Sequence, residues 1–410
     1  MKSYTRLKFA CYTTNITMSV VGNLPPLLFL TFRSLYGVSY SLLGLLILIN
    51  FSTQLTVDLI FSFFSHRFSI PRAVKMTPVI AVAGLVFYAL MPYFFPTLAV
   101  LWLVTGTVIF SAAAGLCEVL ISPVIAAIPA ENPEREMSKL HSIYAWGVVG
   151  VAIISTLYLL LFGGENWHWL TLGFVSIPLI SAILFSKAEI PTMETPEKAS
   201  GAMRLLKTPG VWLCVLAIFL GGASECTMAQ WSSGYLERGM GIPKLWGDMF
   251  GVALFALTLG LGRSLYAKYG RNLTRLLFFS AIGATLCYLV SALTTVPVIG
   301  LIACAMTGLC TAMMWPGSLV VASERYPAGG VFIYALMASG GDLGASVVPQ
   351  LVGSITDVVM TNPTALTLAE KWGMTGDQLG MKLGMLVGML FPLMAIVVFA
   401  LLHRKKGEKA

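Results

Sequence analysis

Four acidic residues lie deep inside long apolar stretches of this sequence. They are Asp58, Glu118, Glu225 and Asp342, and none of the four stretches contains Lys or Arg. A charge inside a bilayer is costly unless it is paired, hydrated or neutralised, so acids placed there are candidates for function. An acid without a basic partner can escape this cost by carrying a proton. The four acids therefore indicate a membrane protein that handles protons, cations or a polar solute.

The composition places the elements that hold these acids in a membrane. Of the 410 residues, 57% are hydrophobic and 11% are charged, and the mean hydropathy is +0.84. A soluble protein of this size needs a far more charged surface. We predict an all-α membrane protein with twelve transmembrane helices. Their approximate ranges are 9–32, 39–64, 74–92, 97–124, 140–162, 167–186, 209–234, 246–266, 274–293, 296–322, 330–353 and 383–402.

The net charge of +8 is explained by membrane topology. With the N-terminus inside, the predicted inner segments hold 21 of the 26 Lys and Arg residues and the outer loops hold 5. Because basic residues accumulate on the cytoplasmic side, we predict a multi-pass protein of the cell inner membrane with both termini cytoplasmic. We expect lipid as its environment and a monomer, and nothing in the charge pattern indicates nucleic acid.

Residues that support other chemistry are scarce. The seven cysteines fall in predicted helices without CxxC spacing, and the four histidines are scattered along the chain. We therefore expect no metal site and no cofactor. No nucleophile constellation lies on a predicted loop, which argues against a membrane enzyme.

The chain is predicted to consist of two related halves. Residues 115–117 and 308–310 both read Gly-Leu-Cys, and Pro123 and Pro316 follow them at the same offset of 193. We predict a six-helix half over 1–186, a cytoplasmic linker over 187–207 and a second six-helix half over 208–410. Two pseudo-symmetric halves with a solute site between them are typical of secondary transporters.

Several short motifs resemble those of the major facilitator superfamily. The segment GRSLYAKYGR after helix 8 resembles a loop of that family, in which glycines allow a tight turn and basic residues contact helix ends. Its motif residues are Gly262, Arg263, Lys268, Gly270 and Arg271. Within the superfamily, the chain resembles the bacterial fucose–proton symporter-like branch. The motifs behind this resemblance are GLCE at 115–118 with Ser122-Pro123, HSIYAWG at 141–147, Glu225 with Gln230-Trp231, and GDLG at 341–344 with Pro349.

The resemblance implies a twelve-helix fold that moves a sugar together with protons, and it implies that Glu118 lies in the proton and substrate pathway. From the residues alone, Glu118 shares one helix face with Gly115 and Ser122. An acid on that face could take up a proton or accept a hydrogen bond from a hydroxylated solute. The alternative is a protonated Glu that fixes helix packing.

Glu225 on helix 7 is the predicted partner of Glu118 in proton coupling. Ser224, Thr227, Trp231 and Tyr235 share a second face of this helix, offset from Glu225 by about 100°. Trp231 is predicted to stack on a sugar ring, and the alternative is an anchor at the membrane interface.

Other side chains complete a predicted solute site. Asn23 precedes Pro25-Pro26, where we expect the first helix to break. His141 and Tyr144 lie near the start of helix 5, and Trp315 is a candidate stacking surface, with plain packing as its alternative. The full predicted set for solute binding is Asn23, Glu118, Ser122, His141, Tyr144, Glu225, Trp231 and Trp315.

A polar stripe on helix 2 is formed by Asn50, Gln54 and Asp58. Such a stripe in a membrane helix must face protein or water. Helix 11 carries Asp342 and Ser346, and the resemblance to the superfamily implies that helices 2 and 11 meet. The two stripes predict a polar seam between the halves, and a proton site at its acids is the alternative.

With no Lys or Arg in the predicted membrane core, an anionic solute would lack a natural partner. The sequence therefore predicts a symporter of protons and a small neutral solute, a sugar, that works by alternating access. A proton-coupled efflux antiporter for cationic or lipophilic compounds is the alternative. In the outer loop 355–382, Asn362 and Pro363 predict the start of a short helix that runs through Trp372.

Overall fold

The computed structural model describes residues 4–64, 67–129, 133–191, 202–269, 272–326 and 330–404. In these ranges the chain is helical and contains no strand. Eleven helical segments among the described residues are long and apolar enough to cross a membrane, and Trp146–Phe162 is a shorter apolar one. The predicted all-α membrane fold with twelve spans is confirmed.

The α-helices are numbered in chain order. They are α1 (Thr5–Tyr36), α2 (Tyr40–Phe64), α3 (Ile70–Phe94), α4 (Ala99–Ala126), α5 (Pro133–Phe162), α6 (Trp167–Ser186), α7 (Pro209–Gly234), α8 (Lys244–Trp246), α9 (Leu254–Tyr269), α10 (Leu273–Leu293), α11 (Pro297–Thr311), α12 (Met314–Arg325), α13 (Gly330–Thr361), α14 (Pro363–Lys371), α15 (Gly376–Gly388) and α16 (Leu390–Arg404). Helices α11 and α12 together form one span, as do α15 and α16.

The chain divides into two compact units. Unit one contains residues 1–37 and 52–198, and unit two contains residues 38–51 and 199–410. The first part of α2 therefore packs with unit two. Asp357 accepts hydrogen bonds from the backbone N–H groups of Tyr40 (3.0 Å) and Ser41 (2.6 Å) at the start of α2. This carboxylate satisfies donors that the helix leaves without a partner, and its charge suits the positive end of the helix dipole.

Corresponding glycines set the helix crossings in both units. A Cβ added to Gly115 of α4 would lie 2.9 Å from the Val57 Cβ of α2. A Cβ added to the matching Gly308 of α11 would lie 2.3 Å from the Phe255 carbonyl oxygen of α9. A real Cβ does not come so close, so each crossing requires glycine. The sequence repeat therefore corresponds to a repeated packing contact.

Three helix boundaries differ from the predicted ones. Helix α1 continues through Pro25 and Pro26, so the expected break after Asn23 is wrong. The tenth span is interrupted at residues 312–313, between α11 and α12. Helix α15 begins at Gly376, earlier than predicted, because Thr375 and Gln378 form a capping box. The short outer helix is confirmed as α14, whose first N–H groups are capped by Asn362.

Candidate functional site

Two acids of unit one lie side by side where α2 crosses α4. Gly115 lets the α4 backbone approach α2, where an added Cβ would lie 3.1 Å from the Gln54 Cα. One turn further along these helices, carboxylate oxygens of Asp58 and Glu118 lie within 4.8 Å of each other. Asp58 is 3% exposed, and Glu118 is half-buried. Two carboxylates this close repel each other unless a proton or another positive charge is shared between them.

The other unit-one candidates lie between α1 and α5. The Asn15 side chain donates to the Leu140 carbonyl (2.7 Å), and the Ser19 hydroxyl donates to the Tyr144 carbonyl (2.9 Å). These bonds hold α5 against α1. The Tyr144 hydroxyl then lies near Gly22, 3.8 Å from the position of an added Cβ.

Asn23 and Tyr144 are both half-buried in unit one. The Asn23 amide donates to the Ser19 carbonyl of its own helix (2.9 Å) and therefore does not fill a helix break. The side chains of Ser122 and His141 lie outside the described residues. Their predicted roles stay predictions.

The unit-two acid Glu225 has a basic partner. The Nη2 atom of Arg263 lies 3.1 Å from Glu225 Oε1 and 3.4 Å from Oε2. Arg263 belongs to α9 and lies near the end of the apolar span Lys244–Tyr266, whereas Glu225 lies near the middle of α7. The expectations that Glu225 lacks a basic partner and that no basic group reaches the core are therefore wrong. The sequence could not reveal the pair, because its members are on different helices.

The same arginine donates a hydrogen bond to the backbone at the break in the tenth span. Its Nε donates to the Ala312 carbonyl (3.1 Å). That carbonyl would normally accept a bond from the residue four positions later, but Pro316 has no N–H and its ring disfavours a continuous helix. Pro316 therefore frees an acceptor, and Arg263 satisfies it. Ala312 and Glu225 are linked through one guanidinium.

The motif that was predicted to form a loop is helical over residues 262–269, the part of it that the structure describes. Helix α9 continues through Tyr269, because residues 263–269 contain neither Gly nor Pro. Gly262 does not form a turn. It lets α9 approach the break in the tenth span closely, since an added Cβ would lie 2.6 Å from the Ala312 Cβ. This contact brings Arg263 to the helix break. Lys268 is exposed, and Gly270 and Arg271 lie outside the described residues.

Trp315 lies in a notch made by two glycines. A Cβ added to Gly222 of α7 would lie 2.8 Å from the Trp315 Cζ3, and one added to Gly341 of α13 would lie 2.6 Å from its Cζ2. Gly222 lies one turn before Glu225, and Trp315 lies one turn after Ala312. The half-buried indole therefore contacts α7 one helical turn from Glu225, and it lies one helical turn from the Ala312 carbonyl that Arg263 binds.

Trp231 is a packing residue in this structure. Its ring is 1% exposed, and its Nε1 donates to the Pro349 carbonyl (2.9 Å). Ser224, Thr227 and Tyr235 of the same predicted face are also buried. That face therefore packs inside unit two, and the prediction that Trp231 stacks on a solute is corrected. Glu225, which is offset from this face, is the more accessible group.

The predicted polar seam has members in both units. Asn50 belongs to unit two, whereas Gln54 and Asp58 belong to unit one. Asp342 is 2% exposed, and the Ser346 hydroxyl donates to the Leu343 carbonyl of its own helix (2.9 Å). A latch between the halves stays a prediction. Within unit two, α2 and α13 do meet, because Gln350 donates to the Ser41 carbonyl (3.1 Å).

Comparison with known proteins decides the family. The sequence matches the Major Facilitator Superfamily profile over residues 10–349. The chain belongs to the major facilitator superfamily. No curated protein sequence matches it. The family consists of membrane transporters, and the repeated glycine crossings of the two units agree with its two-half architecture.

Solved structures of superfamily transporters share the fold at low identity. A D-xylose–proton symporter superposes with a TM-score of 0.71 at 15% identity, over 95% of this chain and 97% of that one. The nucleoside transporter NupG gives 0.75 at 11%, over 97% and 99%. The fucose–proton symporter of E. coli gives 0.57 at 16%, over 96% and 99%. These neighbours carry different solutes, so their likeness establishes the fold and leaves the solute open.

Proposed function

We propose that this protein is a secondary transporter of the inner membrane that moves a small sugar-like solute in symport with protons by alternating access. We further propose that Glu118 carries the proton and that Glu225 is its counterpart in the second unit. The charge distribution of the sequence supports an orientation with both termini in the cytoplasm.

The observation that carries the proposal is the Asp58–Glu118 pair. Two carboxylates within 4.8 Å, inside membrane-spanning helices that hold no other charged residue, are a costly arrangement that packing alone does not require. A shared proton lowers that cost, and the loss of the proton restores it. Such a pair can therefore link proton binding to a rearrangement of α2 against α4.

Contacts in both units support a polar, hydroxylated solute. Tyr144 and Asn23 supply a hydroxyl and an amide in unit one, and in unit two Trp315 supplies an aromatic ring one helical turn from Ala312, whose carbonyl accepts from Arg263. Aromatic rings and polar side chains are the groups that bind sugars in proteins. Arg263 supplies the basic partner that an anionic solute needs, so both neutral and charged sugars fit this proposal.

The coupling is tested with the Glu118→Gln variant in proteoliposomes. A solute is first identified by thermal stabilisation of the purified protein against a panel of sugars, sugar acids, nucleosides and cationic amphiphiles. An inward pH gradient should drive accumulation of that solute by the unsubstituted protein. Glu118→Gln should lose this accumulation and retain solute exchange at equal pH, because exchange needs no proton release. Accumulation that survives in the variant would disprove the role of Glu118.

The efflux alternative is separated by the direction of the gradient. An antiporter releases its compound from the vesicle when protons enter, whereas a symporter takes its solute in. Stabilisation only by cationic amphiphiles, together with proton-driven release, would establish the antiporter. Glu225→Gln is the variant of unit two that matches Glu118→Gln of unit one. It makes the same chemical change at an acid that has a basic partner, Arg263.

A further inference from the structure

Two of the three guanidinium nitrogens of Arg263 donate hydrogen bonds to described residues. Its Nη2 serves both oxygens of Glu225, and its Nε serves the Ala312 carbonyl. Within the described part of the chain, Nη1 donates to no group. The Arg263 side chain is 42% exposed, whereas that of Glu225 is 13% exposed. One edge of the guanidinium is therefore accessible while the other is held by protein.

The geometry of the pair is not the strongest that these groups can adopt. Arginine binds a carboxylate best when two of its nitrogens donate in parallel to the two oxygens. Here a single nitrogen donates to both oxygens, at 3.1 and 3.4 Å. A solute carboxylate could engage Nη1 and Nη2 together once Glu225 releases Nη2.

We propose that Arg263 is a carboxylate-binding site for the solute and that Glu225 occupies it as an internal ligand when no solute is bound. The ligand class is a polyhydroxylated carboxylate, such as a sugar acid, whose ring would lie towards Trp315. This proposal rests on the proposed transport function and narrows its solute class.

The exchange of ligands balances charge. When Glu225 takes up a proton it becomes neutral, and its hold on Arg263 weakens. The solute carboxylate then pairs with the guanidinium, so one anion and one proton enter the site with no net change in charge. Arg263 remains attached to Ala312 through Nε in both states.

Acetate is the probe that tests this site without knowledge of the solute. Glu225→Ala removes the internal ligand and leaves space for a small carboxylate beside Arg263. In the purified full-length protein, sodium acetate should raise the Tm of this variant by about 2–4 °C in a saturable manner. Sodium chloride at equal ionic strength and neutral acetamide should not. The unsubstituted protein should show little response, because Glu225 occupies the site.

Two further variants make the result decisive. Adding Arg263→Gln to Glu225→Ala should abolish the acetate response, whereas Glu118→Ala, which removes an acid that neighbours another acid, should show none. If Glu225→Ala does not fold, the response of Glu225→Gln is measured instead. An equal effect of acetate and acetamide, or an acetate response that persists without Arg263, would overturn the proposal. Either outcome leaves the Glu118 coupling test unaffected, so the two proposals fail separately.

Discussion

In unit one, Glu118 lies within 4.8 Å of a second carboxylate, whereas in unit two Glu225 lies 3.1 Å from a guanidinium. Both acids are half-buried within apolar helices of the same repeated fold. Like charges favour the uptake of a proton, and an opposite charge favours the ionised carboxylate. The repeat therefore supplies one framework with two electrostatic environments. This difference suits a division of labour in which unit one holds a proton between two acids and unit two recognises a carboxylate through Arg263.

The matching prolines show the same divergence in the backbone. Helix α4 continues past Pro123 to Ala126, whereas the span that contains Pro316 is interrupted at residues 312–313. Each proline removes one hydrogen bond to the carbonyl four residues earlier. In unit two that carbonyl belongs to Ala312, and Arg263 donates to it. The guanidinium thus stabilises both a charge and a backbone irregularity.

The largest effect on stability is expected from Arg263→Ala. The substitution leaves the Glu225 carboxylate without its counter-ion and the Ala312 carbonyl without its donor. Loss of one partner from a fully buried pair costs about 3–5 kcal/mol, and because Arg263 is 42% exposed we expect about 2–3 kcal/mol. Guanidinium unfolding of the protein in detergent measures the loss. Arg263→Ala with Glu225→Gln should recover part of it, and an unchanged single variant would mean that the pair contributes nothing.

The glycine crossings provide the next largest contrast. We expect Gly308→Ala to cost about 2–3 kcal/mol and Gly115→Ala about 1 kcal/mol, because the first Cβ meets a backbone carbonyl at 2.3 Å and the second a side chain at 2.9 Å. Gly260→Ala is the matched control, since nothing lies within 4 Å of its added Cβ. That variant should gain up to about 1 kcal/mol. Equal losses at positions 115 and 308 would contradict the difference between the two crossings.

Hydropathy and repeats predicted most of the fold. Apolar segments longer than a bilayer crossing define the spans, and the Gly-Leu-Cys repeat identified both crossing glycines. The capping signal at Asn362 predicted α14 for a local reason, because its hydrogen bonds are made within three residues. The start of α15 was predicted wrongly although its signal is also local, because hydropathy does not show the capping box of Thr375 and Gln378. The segment 262–271 is predicted as a loop from its resemblance to a family motif, yet helix α9 continues through Tyr269.

The candidate site was harder to predict, since its chemistry depends on partners far apart in the chain. Glu225 and Arg263 are 38 positions apart, and Asp357 accepts a hydrogen bond from the N–H of Ser41, which is 316 positions away. No local spacing reports such pairs. The prediction for Trp231 failed for a related reason, because α13, more than 100 positions away in the chain, packs against its ring. A sequence without aligned relatives specifies which residues share a helix face and does not specify what packs against it.

A smaller effect is expected from the coupling between Pro316 and Arg263. In Pro316→Ala the new N–H can donate to the Ala312 carbonyl, so Arg263 is no longer its main donor. Arg263→Gln should then cost about 1 kcal/mol less in the Pro316→Ala background than in the native one, which is the value of one hydrogen bond. A double-mutant cycle in unfolding free energy measures this difference. Additive costs would show that Arg263 and Pro316 act independently.

The smallest effect on stability is expected where the effect on transport is greatest. Glu118→Gln removes one of two neighbouring acids and keeps the side-chain shape, so like-charge repulsion is lost while packing is retained. We expect a change of about 0–0.5 kcal/mol in unfolding free energy, against a clear loss for Glu225→Gln, which leaves the Arg263 guanidinium without its counter-ion. Parallel denaturation of both variants, at a pH where carboxylates are ionised, makes the comparison. A large loss at Glu118 and none at Glu225 would reverse the roles assigned to the two units. It would mean that the acid of unit one holds the fold together and that the ion pair of unit two is dispensable to it.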